Sequence, residues 1–401
     1  MEKINILVLT SNYSGTGIPR GTTPVVAKLL ENYNYKENIR VIYNYTVYSK
    51  VLYVFFSLFN NLLSNILGSV LPKKRNSNIN LELINGIKVI RIPIFKFFPR
   101  FKFTNKTYSS QFKQIQKYIT ENDFEPYVVI GHWLTPQLKL LNMLKDEYQC
   151  KIVQVIHELE PFIVDREYGE NSEELLSDLD MIAYRSESIR SKFENKYKLL
   201  MPNFICRSGI DKNKIIRSKE FNKDFLTITF VGLLIKRKHP SSIIKAVSLA
   251  SFKNYCQINF IGEGPEKHNL EKLAAKYDLN NQIKLYGYVD KEIVIKLLDK
   301  TDCFVMISEL EAFGLVYLEA MARGCIVVAS RNEGFDGIII NGYNGFLCES
   351  GNKNQLNSIL NKIYSLSDDE KINISKRAIE TATKLNSKNV SNEYFEIILK
   401  N

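Results

Sequence analysis

The sequence predicts an α/β protein of two Rossmann-like, doubly wound domains facing a central cleft. Short apolar runs of strand length alternate with amphipathic segments of helical length along nearly the whole chain. The alternation breaks once, in a polar and charged stretch at 205–222, and restarts at Phe225. The length of 401 residues exceeds the size at which a single hydrophobic core stops growing. Alternating β and α segments call for parallel sheets covered by helices, and such sheets bind ligands beyond the carboxyl ends of their strands.

In the first half, strands are expected at Ile4–Thr10, Ile39–Tyr43, Ile87–Ile92, Tyr127–Gly131, Lys151–Ile156 and Asp180–Tyr184, each a compact β-branched or aromatic run. Helices are expected between them, among them Tyr108–Asn122 and Pro136–Tyr148. In the second half, strands at Leu226–Val231, Gln257–Ile261, Ile283–Tyr286, Cys303–Ile307 and Ile326–Ala329 alternate with helices at Ser241–Ala250, Glu266–Tyr277, Lys291–Lys300 and Phe313–Arg323. Tail helices follow from Asn354. The expected division is one Rossmann-like domain at 1–204, a second at 205–384, and a terminal helix at 385–401 packing back on the first domain.

Composition bounds the function loosely. The apolar fraction of 45% is that of a globular protein, and a net charge of +11 suits phosphate-bearing ligands or an anionic surface. Six scattered cysteines form no CxxC or Cys/His cluster, so reduced core thiols and a cytoplasmic setting are expected. Met1–Tyr13 lacks the layout of a secretory leader, and Ile4–Thr10 within it reads instead as a buried first strand. No metal-ligand set is visible, and no helix-turn-helix, zinc or RNP-like signature supports a nucleic-acid reading. Asp178-Leu179-Asp180 has the form of a DxD metal signature, but Asp180 opens a strand instead of following one.

The chemistry concentrates in residues 307–324, which read as strand end, loop and a helix closed by Gly324. The first helical turn offers backbone N–H groups at Phe313, Gly314 and Leu315, where a diphosphate would fit, with Gly314 leaving room for a bulky anion. Glu311 stands before the helix and Glu319 two turns along it. As isolated carboxylates they would suit a helix N-terminal charge and a solvated side chain. As a string, Ser308, Glu311, Phe313, Gly314, Glu319, Ala320, Met321, Ala322 and Gly324 resemble the E-x7-E element of the retaining family 4 (group 1) glycosyltransferases of GT-B fold.

Further blocks occur in that family's order. Phe230-Val231-Gly232 followed by Lys236-Arg237-Lys238 resembles its F-V-G-R-L-x-x-x-K-G block, with Leu233 in the arginine position and His239 replacing the glycine. Gly262-Glu263-Gly264-Pro265 resembles its G-x-G-P turn, and Leu285-Tyr286-Gly287-Tyr288-Val289 the strand and loop that read the nucleobase. Asn341-Gly342-Tyr343-Asn344-Gly345 resembles a late turn, while Glu333-Gly334-Phe335-Asp336-Gly337 departs from the usual G-G-x-x-E. In the first half, Ile156-His157-Glu158 sits at the family's H-D position, Ser186-Glu187-Ser188 at its V-S-E-S, Gly209-Ile210-Asp211 at its N-G-V-D, and Gly15, Gly17 and Gly21 in its glycine loop.

The resemblance implies a retaining, metal-independent hexosyl transfer from a nucleotide-sugar, expected to be UDP-linked, to a glycan or polyprenyl-diphosphate-linked acceptor in surface-polysaccharide or capsule synthesis, with no separate cofactor. It implies Glu311 and His157 against the donor sugar and Glu319 on the ribose hydroxyls. Lys238, Arg237 and the amides of Phe313, Gly314, Leu315 and Val316 would serve the diphosphate. Gly232, Gly262, Tyr288, Gly17 and Gly21 complete the donor set, and Arg237 or Lys236 would compensate for Leu233. A nucleotide-sugar epimerase of the same architecture and a catalytically inactive sugar- or membrane-binding relative are the alternatives.

One compositional anomaly concerns the acceptor. Val51–Leu71 is about two thirds apolar and uncharged, places Leu52, Phe55, Phe59 and Leu62 on one helical stripe, and leads to Lys73-Lys74-Arg75. With the aromatic and basic run at 95–103 it would suit a peripheral contact with the anionic inner face of the cell membrane. A core helix under the first sheet is the competing reading.

Overall fold

The computed structural model describes residues 4–13, 24–55, 58, 78–99, 101–221 and 225–400. The chain divides into two compact units, one comprising Met1–Arg185, Ile189–Cys206 and Ser391–Asn401, the other Ser186–Ser188 and Arg207–Val390.

Unit 1 is built on an eight-stranded sheet. In chain order its strands are β1 (Ile6–Thr10), β2 (Ile39–Val47), β3 (Asn80–Ile84), β4 (Ile87–Phe95), β5 (Val128–His132), β6 (Lys151–Ile156), β7 (Met181–Tyr184) and β8 (Asn203–Ile205). Their spatial order is β3-β4-β2-β1-β5-β6-β7-β8. All neighbours are parallel except β3 and β4. The central strands β1 and β5 are buried along their whole length, as expected for parallel strands covered on both faces.

Two differences from the expected elements have local causes. Strand β2 runs past Tyr43 to Val47, because Asn44, which interrupts the apolar pattern, is buried and accepts a 2.7 Å hydrogen bond from Gln111 Nε2. Strand β3 was not expected. It pairs with β4 through Asn85-Gly86, whose φ values of 50° and 84° fit the two left-handed positions of a type I′ hairpin.

Unit 2 holds six parallel strands: β9 (Leu226–Val231), β10 (Cys256–Ile261), β11 (Ile283–Gly287), β12 (Cys303–Met306), β13 (Ile326–Ser330) and β14 (Phe346–Cys348). Their spatial order is β11-β10-β9-β12-β13-β14. Central β12 and β13 are fully buried apolar runs, whereas edge strand β11 alternates between half-buried and exposed residues. One core cluster extends from Ile210 to Ala382. Gly209 is fixed by packing, since a Cβ there would lie 2.5 Å from Ser387 Cα. The helices Lys353–Ser365, Asp368–Lys384 and Ser387–Lys400 end the chain, the second opened by a capping box between Ser367 and Glu370.

All six cysteines are buried and none is in a disulfide. Asp180 belongs to the scaffold: one carboxylate oxygen accepts from Ile152 N at 2.7 Å and the other pairs with Lys145 at 2.7 Å. Among the described residues no helix is long and apolar enough to cross a membrane.

Candidate active site

The unit 2 site forms beyond the carboxyl ends of β9, β10, β11 and β12. Residues 307–314 leave β12 as a loop, and the helix Leu315–Ala322 starts at Leu315, two residues later than the sequence suggests. Phe313 is buried and packs edge-on against Phe335 at 5.5 Å, while Tyr317 stacks on the same ring at 5.0 Å. Those two rings pin the helix start. Gly314 has a φ of 78°, and a Cβ there would stand 2.4 Å from the Tyr317 ring, so local packing by itself demands the glycine. Leu315 and Val316 pack partly into the core. The backbone N–H groups of a first helical turn lack intrahelical acceptors and are suited to an anion.

Glu311 is held on both its backbone and its side chain. Its N–H donates to Glu333 Oε2 at 2.7 Å and its carbonyl accepts from Gly334 N at 2.8 Å. Its carboxylate pairs with Lys238 Nζ and accepts from Ser308 Oγ at 3.2 Å. Ser308 in turn lies 3.3 Å from the Tyr317 hydroxyl, which donates to Met306 O at 2.7 Å. Burial and the nearby Glu311 charge push the Tyr317 phenol far up, so it stays a neutral donor. Lys238 ends a short 3-10 turn at Lys236–Lys238, and the next residue, His239, takes a left-handed conformation with φ 49° where the family pattern has glycine.

Arg237 is committed elsewhere: its guanidinium donates to the carbonyls of Glu309 at 3.3 Å and Leu310 at 3.1 Å. It therefore braces the loop carrying Glu311, and Leu233 in the arginine position is exposed. Glu319 forms a 2.7 Å ion pair with Lys291 at the start of the helix Lys291–Asp299. Gly232, Gly262 and Gly287 bring successive strand ends into backbone contact. Gly262 N donates to Gly287 O at 2.7 Å, and a Cβ on Gly262 would lie 2.0 Å from Gly232 O. Tyr288, just beyond, is exposed.

The unit 1 candidate, His157, follows β6, and its ring stacks on Trp133 at 4.1 Å and 17°. Its Nε2 lies 3.0 Å from Nδ1 of His132 at the end of β5, and His132 Nε2 lies 3.1 Å from the Tyr394 hydroxyl. Burial, with the Arg185 charge second, holds the His132 imidazole down at about 3 and His157 well below the usual histidine range. The neighbouring Glu158 carboxylate accepts from the N–H groups of Leu134 and His157, yet burial outweighs those bonds and pushes its carboxyl up to about 7. Gly17 and Gly21 lie outside the described residues.

The sequence reading did not single out His132, Tyr394, Lys291 or a positioning role for Glu333. The only local signal was a histidine closing a buried strand in Ile130-Gly131-His132-Trp133. Among the described residues no group of three or more His, Cys, Asp or Glu side chains could hold a metal ion.

Residues 211–384 match the family model "Glycosyl transferases group 1". The match spans most of unit 2 and none of the unit 1 sheet. An uncharacterized glycosyltransferase of Methanocaldococcus jannaschii is 36% identical over 169 residues, covering 39% of this chain and 42% of that protein. The amylovoran biosynthesis glycosyltransferase AmsK of Erwinia amylovora is 27% identical, covering 39% of this chain and 40% of that protein. The chain thus spans about two fifths of the length of these two relatives. Two solved structures show its fold: sucrose-phosphate synthase from Thermosynechococcus elongatus, with TM-score 0.73, 15% identity and 99% and 98% of the two chains covered, and Anabaena HepE in complex with UDP, with TM-score 0.69, 15% identity and 99% and 100% covered. The fold is GT-B.

Proposed function

We propose that the chain transfers a hexose-type sugar from a UDP-sugar to a hydroxyl of a glycan or lipid-linked acceptor in surface-polysaccharide assembly. The observation that carries this reading is the Glu311 carboxylate, fixed by Lys238 and Ser308 beside the start of the helix Leu315–Ala322 in a group 1 domain. In this reading the bond from the anomeric carbon to the diphosphate breaks, its electron pair leaves with the diphosphate, and the acceptor oxygen attacks on the face the leaving group vacates. The acceptor proton passes to the departing phosphate oxygen, giving retention.

Lys238 has three N–H donors, and its bonds to Glu311 and to Met306 Sδ at 3.7 Å leave one for the diphosphate. That donor and the helix-start amides stabilise the leaving charge, with no metal required. Glu311 and His157 contact the donor sugar, and Glu319 holds the ribose hydroxyls once Lys291 releases it. AmsK, named for amylovoran biosynthesis, and HepE in complex with UDP support the polysaccharide and UDP parts. A cytoplasmic protein touching the inner membrane face would meet a polyprenyl-linked acceptor. Of the apolar stripe, residues 56–57 and 59–77 lie outside the described residues, but Phe55 and Leu58 are exposed, as are Phe97 and Phe101.

Arg237, turned to loop carbonyls, favours a second reading in which the fold binds a sugar nucleotide without transferring it. A thermal-shift screen of nucleotide-sugars followed by mass analysis of product on a lipid-linked acceptor separates the two. Stabilisation by a UDP-sugar together with a product lost in Glu311→Gln supports transfer. Stabilisation without any transfer or donor hydrolysis overturns it.

A further inference from the structure

Among the buried polar groups outside the donor-side cluster, one arrangement reaches the candidate sugar site from the far end of the chain. His132 closes β5, His157 follows β6, and Tyr394 comes from the helix Ser387–Lys400, whose residues from Ser391 onward belong to unit 1. Their polar atoms form one line: Tyr394 Oη to His132 Nε2 at 3.1 Å, and His132 Nδ1 to His157 Nε2 at 3.0 Å. His132 and Tyr394 are both buried, at 0% and 2% exposure. Water therefore does not compete for the bond between Tyr394 and His132.

We infer that His132 is a positioning residue that, with Tyr394 behind it, fixes His157 in the neutral tautomer protonated on Nδ1. A neutral imidazole has one N–H and one lone pair, so a line through His132 runs in one direction. A phenol cannot leave its proton unused in a buried site without cost, and His132 Nε2 is the acceptor beside it. Tyr394 O–H therefore donates to Nε2, His132 carries its proton on Nδ1 and donates it to His157 Nε2, and His157 keeps its own proton on Nδ1. The charged and titratable groups around the line are Arg185, Cys206 and Glu158; the Arg185 guanidinium disfavours a second proton on either ring. Trp133, stacked on His157, holds the ring plane so that the tautomer has a fixed direction. His157 is then a hydrogen-bond donor through Nδ1 and unavailable as a base through Nε2, which suits holding a sugar hydroxyl and not abstracting its proton. This step rests on the proposal that His157 meets the donor sugar; the wiring behind it does not.

With four histidines in the chain, two-dimensional 15N spectra of the histidine rings of the full-length protein, with His157→Ala for assignment, read the tautomer directly. The expected result is an Nδ1-protonated His157 in the wild type, shifting toward the Nε2-protonated form in Tyr394→Phe and in His132→Leu, with His132→Gln, which keeps an N–H donor, restoring it in part. An Nε2-protonated or charged His157 in the wild type at pH 7.5 (about one unit above the ordinary histidine value), or an unchanged tautomer in folded Tyr394→Phe, overturns the inference whatever the kinetics show. In turnover assays Tyr394→Phe should lower kcat about three- to tenfold with donor KM little changed. Unchanged turnover in His157→Ala would instead remove the sugar-contact reading while leaving the tautomer result standing.

Discussion

The Glu311 carboxylate and the Lys238 ammonium form an ion pair with 14% and 12% of their side chains exposed, joining the loop after β12 to the turn after β9. A pair so withdrawn from water depends on both partners, because either one left alone is a poorly solvated charge. Lys238→Met should destabilise the protein by about 2 kcal/mol, and adding Glu311→Gln should restore part of that loss. Urea unfolding of the two single variants and the double variant checks the coupling; strictly additive losses would show that the pair is not an energetic unit.

Lys291 holds Glu319 in the structure, and Glu319 is the proposed ribose ligand. The pair is partly exposed and weak, so its loss costs the fold little. Lys291→Ala should tighten UDP binding about two- to fivefold by freeing the carboxylate, whereas Glu319→Ala should weaken it. Calorimetric titration of UDP reads both directions. Weaker binding in Lys291→Ala would assign that lysine to the nucleotide instead.

The glycines of unit 2 should differ sharply in tolerance. A Cβ on Gly262 meets the Gly232 carbonyl at 2.0 Å and one on Gly334 meets Ala312, Glu311 and Phe313 backbone at 2.5 Å, while one on Gly342 meets nothing within 4 Å despite a φ of 78°. Gly342→Ala should cost about 1 kcal/mol from backbone strain alone. Gly262→Ala and Gly334→Ala should cost about 3 kcal/mol or more, since backbone must move. Thermal midpoints rank the three variants.

Two buried groups in unit 1 give opposite pH dependences. Burial raises the Glu158 carboxyl from the ordinary 4.5 to about 7, so between those values the folded state keeps a proton that the unfolded chain loses, and stability falls as pH rises. Burial lowers His132 from 6.5 to about 3, so in that range the unfolded chain binds the extra proton, and stability falls as pH drops. Between pH 5 and 6.5 the two oppose each other. Glu158→Gln should steepen the loss of stability toward acid, and His132→Gln should flatten it, in denaturant titrations across that window.

Exposed Phe97 and Phe101 stand beside Lys96 and Lys102 on the segment after β4. If the acceptor is lipid-linked, the protein should sediment with vesicles containing anionic lipid, and Phe97→Ser with Phe101→Ser should reduce that binding while leaving the melting temperature unchanged. Absence of wild-type binding would set aside the membrane part of the proposal.

What the sequence determined is local. Runs such as Ile6–Thr10 and Ile326–Ser330 are apolar on both faces because they lie inside parallel sheets, and the spacing of Ser308, Glu311, Gly314 and Glu319 follows from one strand end passing into one helix. Asn85-Gly86 is an equally local signal, the residue pair of a type I′ hairpin. What only the tertiary structure decided is which distant groups meet. Lys238 reaches Glu311 across 73 residues because β9 and β12 are neighbours in the sheet. His132 reaches Tyr394 across 262 residues because the last helix returns to the first unit. Strand order and chain return arise from burying whole faces, a property of the entire chain, so no local pattern of residues could have disclosed those partners.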